Sequence, residues 1–158
     1  AGYWRNHTHG GWRAEFAGPT GESNTLRLAS RGRVLCLADT DIGLLRQLAA
    51  VLATGNASLW PRSVAAETLA SSLPPEVRAR LVWVPSGALP DCQALLFDGP
   101  AQALPALRQE LAARSGPIVP VLQSDPVSGQ YALYRLLCER VLSVNTTAAG
   151  GNAALMTL

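Results

Sequence analysis

The stretch Arg33-Val-Leu-Cys-Leu-Ala38, followed at once by Asp39-Thr-Asp-Ile42, decides the fold. The first six residues form a short apolar run after Gly32, which is typical of a buried strand. The next residues supply helix N-caps and first-turn acids, and apolar residues then recur at helical spacing until Gly55. This passage predicts a buried strand that leads directly into a helix, which is the repeating unit of a parallel α/β sheet.

The same alternation continues toward the carboxyl end of the chain. Further strands are predicted at 57–60, 81–84, 93–97 and 118–122, and helices at 63–72, 74–80, 102–114 and 131–140. Pro120 favours a position near the edge of the sheet for the strand that contains it. Short apolar strands that alternate with helices predict parallel pairing with helices on both faces. The expected fold class is therefore α/β, a Rossmann-like three-layer sandwich with a mainly parallel sheet.

Two segments flank the predicted sandwich. Residues 1–24 are rich in glycine, tryptophan and polar groups, and they are predicted to be a connector, either a flexible linker or in part a vector-encoded extension. Residues 25–142 are assigned to the Rossmann-like domain, and their first part, 25–29, is predicted to be an extended strand or flap. Residues 143–158 are assigned to a strand-like C-terminal docking motif.

The segment 143–158 combines β-branched residues, a run of alanine and glycine, and a final apolar group. Its first part predicts a strand, and the small residues permit close approach to another surface because they lack side-chain bulk. We expect this tail to dock by strand addition on a surface outside the chain. The alternative is that it packs on its own domain as an edge strand or hangs free. The predicted docking residues are Val144, Asn145, Thr146, Thr147, Gly150, Gly151, Asn152, Leu155 and Met156.

Composition and charge disfavour several functions. All 13 basic residues are arginine, so there is no lysine for a Schiff base or for a Walker A motif. The net charge is +2 without a basic stripe interleaved with aromatics, so nucleic-acid binding is not expected. No apolar run is long enough for a transmembrane segment, and no secretory signal is visible.

The cysteines and histidines show no metal-ligand spacing. Cys36, Cys92 and Cys138 lie far apart in apolar stretches, which is typical of small buried hydrophobic residues in a reducing compartment. His7 and His9 lie in the predicted connector and are assigned no metal site. We therefore expect neither a metal nor a histidine-assisted nucleophile.

A dinucleotide site is also not expected. In doubly wound folds, a glycine-rich turn after the first strand binds the phosphates at a helix N-terminus. Here that turn has no glycine, and Asp39 and Asp41 place negative charge where a pyrophosphate would lie. Two other hypotheses remain: a residual or regulatory nucleotide-binding domain, and an unrelated small α/β protein that self-associates through its tail.

Two passages resemble known families. Thr54-Gly-Asn-Ala-Ser-Leu-Trp-Pro61 resembles the helix–Gly-Asn–strand unit of the aldehyde dehydrogenase coenzyme domain, although Trp60-Pro-Arg62 replaces the lysine that contacts ribose there. The nucleophilic cysteine and general-base glutamate motifs of that family have no match. Val144-Asn-Thr-Thr-Ala-Ala-Gly-Gly-Asn-Ala-Ala-Leu-Met156 strongly resembles the C-terminal motif of long-form proline utilization A. Residues 18–24 and 34–39 fit the same family.

This resemblance implies a place in a bacterial bifunctional enzyme. Members carry an FAD-dependent proline dehydrogenase and an NAD-dependent L-glutamate γ-semialdehyde (pyrroline-5-carboxylate) dehydrogenase, joined by an internal tunnel. The chain is then expected to be the C-terminal aldehyde dehydrogenase-like domain, which holds no cofactor and is no enzyme on its own. Its tail is expected to cover the aldehyde dehydrogenase module of the same polypeptide or of a neighbouring subunit. A cytoplasmic location is expected, with any membrane association left to other regions of the parent enzyme.

Overall fold

The computed structural model describes residues 10–19 and 21–145. The strands of this part of the chain are β1 (Arg13–Ala17), β2 (Glu22–Ser30), β3 (Arg33–Ala38), β4 (Ala57–Pro61), β5 (Leu81–Val84), β6 (Ala94–Asp98), β7 (Val121–Gln123) and β8 (Leu137–Asn145). The helices are α1 (Asp41–Ala53), α2 (Val64–Ser71), α3 (Pro75–Arg78) and α4 (Leu104–Ala112). Short 3-10 turns precede α4 and β8, at Ala101–Ala103 and Leu133–Leu136.

The body of the protein is a five-stranded sheet in the order β5-β4-β3-β6-β7, and every neighbouring pair is parallel. The α/β fold class predicted from the sequence is therefore confirmed. β7 lies at the edge of this sheet directly after Pro120, as expected for a residue that cannot donate to a ladder. The central strand β3 pairs on both sides, and its residues Val34 to Cys36 are fully buried.

Helices cover both faces of the sheet. Val34 and Cys36 of β3 point to one face, where they share a core with Leu48 and Val51 of α1. Leu35 points to the other face, and its core includes residues of α4. Two cores separated by one sheet make the three-layer arrangement, and the alternation along β3 follows from the period of two in a strand.

The last predicted helix, at 131–140, is wrong. The structure has a short 3-10 turn at Leu133–Leu136, and β8 begins at the next residue, Leu137. Leu133, Leu136 and Leu137 are all buried, so their spacing reflects packing of this turn on the body rather than a helical face. From Leu137 onward the backbone pairs with β2 over nine positions. This tertiary pairing outweighs the local helical spacing, because propensity alone contributes only fractions of a kcal/mol per residue.

A second sheet is formed by β1, β2 and β8, in the order β1-β2-β8 with antiparallel pairing. We call these three strands the flap. β2 contains residues 25–29, for which a strand or flap was expected. β1 lies within the predicted connector 1–24, and the predicted boundary after residue 142 falls inside β8. The alternating side chains from Trp12 to Ala17 are the signal for β1 that the connector assignment overlooked.

Candidate docking surface

The outer strand of the flap, β8, carries exposed apolar side chains. Val141 is 69% exposed, Leu142 is 63% exposed and Val144 is 42% exposed. Among the described strands, β8 pairs with β2 alone, so its other edge faces no strand of the described chain. An open edge with exposed apolar side chains is a surface to which another strand can add.

The structure reaches only the first of the predicted docking residues. Val144 and Asn145 end β8, where they lie opposite Ser23 and Glu22 of β2. The remaining ones, Thr146, Thr147, Gly150, Gly151, Asn152, Leu155 and Met156, lie outside the described residues. Their docking role therefore stays a prediction. The strand predicted for the first part of 143–158 is confirmed as far as Asn145, and up to that residue it packs on its own domain as an edge strand paired with β2.

The two faces of the flap differ in chemistry. Cross-strand partners share a face, so the row Ala14–Leu26–Val141 lies on one side, together with Phe16. Trp12 extends this apolar face, because its carbonyl accepts the Leu28 amide at 2.9 Å and the two residues therefore lie opposite each other. Trp12 and Phe16 are about half exposed, at 46% and 53%. This apolar face was not predicted from the sequence, although the alternation in Trp12-Arg-Ala-Glu-Phe-Ala17 indicates it.

Asn56 fixes the start of β8 on the body. Its Oδ1 accepts the Gly32 amide at 2.8 Å, and its Nδ2 donates to the Leu136 carbonyl at 2.9 Å and to Thr54 Oγ1 at 2.8 Å. Gly55, with φ of +70°, makes the left-handed turn that brings Asn56 into this position. One buried amide thus joins the end of α1, the turn before β3 and the residue that precedes β8. This is the structural use of the Thr54-Gly-Asn motif.

A protein side chain caps the N-terminus of α1, where doubly wound folds bind phosphate. Thr40 is the N-cap, and its Oγ1 accepts the Gly43 amide at 3.0 Å. A Cβ on Gly43 would lie 2.5 Å from Asp98 Oδ2, so a carboxylate reaches this helix end from β6. Asp41 adds a further acid in the first turn. The helix dipole is therefore complemented by protein groups that would repel a phosphate.

Arg62, which by resemblance stands in place of a ribose-binding lysine, makes two contacts at the surface. The Arg62 guanidinium lies 5.4 Å from the ring centroid of Trp83 and pairs with Glu67 at 2.8 Å. Trp83 in turn packs edge-to-face on the buried Trp60, with 6.1 Å between ring centroids. Arg62 is therefore held over an aromatic ring by a cation–π contact.

The buried thiols are poor nucleophiles. Burial raises the pKa of Cys36 to about 12, against a weaker opposite effect from its hydrogen bond with Ser58. Burial likewise raises the pKa of Cys92. A thiol with a raised pKa holds its proton at neutral pH, and the thiolate is the reactive form. Both residues lie in the core clusters, as expected for small buried hydrophobic residues.

Within residues 10–19 and 21–145, no helix has both the length and the apolar character needed to cross a bilayer. The same part of the chain brings together no group of three or more histidine, cysteine, aspartate or glutamate side chains placed to hold a metal ion. His7 and His9 lie outside it.

Comparison with known proteins identifies sequence relatives. The chain is 46% identical over 143 residues to bifunctional protein PutA of Escherichia coli, covering 89% of this chain and 11% of that protein. It is 37% identical over 152 residues to bifunctional protein PutA of Rhizobium meliloti, covering 91% and 12% respectively. The chain therefore spans about a tenth of the length of these curated relatives. No protein-family model matches it.

Solved structures agree with this result. A variant of proline utilization A from Bradyrhizobium japonicum superposes with a TM-score of 0.59 at 26% identity, covering 77% of this chain and 14% of that one. The aldehyde dehydrogenase AldH of Staphylococcus aureus superposes with a TM-score of 0.54 at 18% identity, covering 78% and 30%. The second likeness shows that the fold is that of the aldehyde dehydrogenases.

Proposed function

Because this chain is homologous to the PutA proteins over 89% of its length, we propose that it is a non-catalytic accessory domain of a bifunctional proline-oxidising enzyme. In this proposal the parent enzyme converts proline to glutamate in two steps, with FAD and NAD bound by its other modules. The chain covers the aldehyde dehydrogenase module and helps to seal the tunnel through which the intermediate passes. The same proposal places the chain in the cytoplasm.

The observation that carries the docking part of this proposal is the exposed strand β8. It leads from the flap into the motif 146–158, and it presents Leu142 and Val144 beside an edge that faces no described strand. Backbone hydrogen bonds along that edge would give affinity, and the exposed side chains would set the register. The small residues that follow allow the backbone to lie close to the partner.

The geometry of the sheet supports a body without coenzyme. The first helix begins with Thr40 on its free amides and Asp98 beside it, so a pyrophosphate would have to displace a cap and approach a carboxylate. Arg62 is held on Trp83 and Glu67. Both features disfavour the alternative of a residual nucleotide-binding domain, because each occupies a position that a dinucleotide would need.

Sealing has a chemical purpose. The intermediate of the proposed reaction is an aldehyde, which is lost to side reactions and dilution when it escapes into bulk water. Exclusion of water around a reactive intermediate is one of the functions of closed active sites. A ribbon with small and apolar side chains suits this task, since it brings no charged group into the tunnel wall.

The proposal is tested in the full-length parent enzyme by ending the chain after Asn145. We expect semialdehyde oxidation to slow and intermediate to appear in solution, while proline oxidation stays nearly unchanged. A second variant, Leu142→Asp with Val144→Asp, should act in the same direction. Its matched control is Ile118→Asp with Val127→Asp, which adds the same charges at two apolar residues that are each 94% exposed. Unchanged coupled turnover in the shortened enzyme contradicts the proposal.

A further inference from the structure

Three arginines lie directly opposite one another across the flap. Arg13 of β1 pairs with Arg27 of β2, and Arg27 pairs with Arg140 of β8. Directly opposite residues in a sheet project to the same face, with their Cβ atoms about 5 Å apart. With neighbouring strands about 4.8 Å apart, the row extends about 10 Å across the sheet. We call these three residues the arginine row.

The described part of the chain compensates only one of these charges with an ion pair. Arg13 Nη2 contacts Glu15 Oε1 at 2.7 Å, whereas Arg27 and Arg140 form no ion pair with any described carboxylate. The C-terminal end of α1 lines a concavity beside Arg13 and Arg27, but a helix end supplies only about half a negative charge. Like charges directly opposite in a sheet are destabilising. The isolated flap therefore carries repulsion that an acidic partner would relieve.

The surroundings of the arginine row suit a protein surface. A concavity of about 630 Å³ is lined by all three arginines, by Thr25 and Leu142 of the same face, and by Glu139 and Val141 on either side of Arg140 in β8. Glu139 lies opposite Leu28 in the register, so the alternation of the strand directs it to the other face. The apolar Leu142 and Val144 share the face of the row, and Arg140 lies on the strand that leads into the docking motif. A row about 10 Å long that is flanked by apolar side chains fits several carboxylates on one surface better than a single small anion.

We propose that the arginine row binds a cluster of carboxylates on the aldehyde dehydrogenase module. This inference rests on the proposed function for the identity of the partner. It adds that the face of the flap that carries the arginine row meets an acidic part of that module. Bidentate pairing between guanidinium and carboxylate groups would also fix the orientation of β8 before the tail engages.

The test compares amide hydrogen exchange in the flap between the full-length parent enzyme and the isolated chain. The variant is Arg27→Gln with Arg140→Gln, and the matched control is Arg78→Gln with Arg108→Gln, two exposed arginines on helices. In the parent enzyme, we expect the double variant Arg27→Gln with Arg140→Gln to speed hydrogen exchange of the flap amides about tenfold or more, because it removes charge pairs at an interface. In the isolated chain, the same pair should leave exchange unchanged or slow it, because it removes like-charge repulsion.

The variant is expected to change hydrogen exchange differently in the parent enzyme and in the isolated chain, so the comparison separates an interface role from a role in the stability of the flap. Equal acceleration in both settings overturns the inference, because the arginines then serve only the internal stability of the flap. No change in the parent enzyme also overturns it. Inorganic phosphate or a short oligonucleotide could instead slow exchange of the flap amides in the isolated chain, with no slow exchange of these amides in the parent enzyme. That result overturns the inference, because the arginine row then binds another anion and not carboxylates of the module. Ionic strength of about 1 M, where the Debye length is about 3 Å, should reproduce the effect of the variant in the wild-type parent enzyme.

The variant also separates this inference from the proposed function. If ending the chain after Asn145 impairs coupled turnover while the arginine variant leaves flap exchange unchanged, the tail docks and the arginine row has no acidic partner. If the arginine variant loosens the flap while the shortened enzyme keeps full coupling, the acidic interface stands and the sealing role fails.

Discussion

Replacing Asn56 with alanine should destabilise the protein more than replacing any other asparagine or glutamine of the described chain with alanine. The side chain is 6% exposed and joins three elements through hydrogen bonds of 2.8 to 2.9 Å. Its removal leaves the Gly32 amide and the Leu136 carbonyl without this partner. An orphaned buried polar group costs about 1–3 kcal/mol. The two groups together would cost about 2–6 kcal/mol, and because water can reach the partly buried Gly32 we expect a loss of about 3 kcal/mol.

The assay is urea denaturation of the 158-residue chain, followed by tryptophan fluorescence. Asn56→Asp is the informative second variant, because it keeps the acceptor for Gly32 but replaces the donor to Leu136 with a carboxylate. We expect it to be nearly as destabilised as the alanine variant. The matched control is Asn24→Ala, which removes one partly buried hydrogen bond within the flap, at 2.7 Å to Glu22, and should cost about 1 kcal/mol or less. An Asn56→Ala variant within 1 kcal/mol of wild type would refute the reasoning.

Three further outcomes are expected. Gly43→Ala should destabilise the chain by about 1–3 kcal/mol in the same denaturation assay. The added Cβ would lie 2.5 Å from Asp98 Oδ2, and the crowded N-terminus of α1 has no room for it. A neutral effect would mean that Asp98 moves aside freely. Burial holds the pKa of Cys36 and of Tyr131 near 12, above their ordinary values. As pH rises, the unfolded chain therefore loses these two protons before the folded chain does. The free energy of unfolding should fall as pH rises from about 9 toward 12. Cys36→Ala should flatten that decline, and an unchanged slope would assign it to other groups. Calorimetric titration with NAD or NADH should give no binding heat at sub-millimolar ligand, and saturable heat would support the nucleotide-binding alternative.

The parallel sheet was predictable because its signals are local. Each strand is a short apolar run that ends at a turn residue. Helices α1 and α2 begin at the side-chain caps Thr40 and Ser63, and α3 and α4 begin with a proline in the first turn. Pro120 even predicted the edge position of its strand. These features depend on neighbouring residues along the chain, so pattern and propensity detect them.

The flap was less predictable because its cause is not local. β8 pairs with β2 across more than a hundred residues of sequence, and its leucines follow a spacing that equally fits a helix. Only the pairing decides between the two structures. The arginine row has the same origin, since Arg140 lies more than a hundred residues from Arg13 and Arg27 and meets them only through register. The nine predicted docking residues were inferred from the small and apolar residues of the tail and from the family resemblance, and the structure describes only Val144 and Asn145 among them.

The central claim is that the strand β8 and the tail after it bind the aldehyde dehydrogenase module. The most direct test is a backbone-amide NMR order profile of residues 137–158 in this chain, recorded with and without that module added in trans. We predict that order increases from β8 through Met156 when the module is present, with Arg140 and Leu142 among the residues whose signals change. An unchanged profile at saturating module would contradict the account.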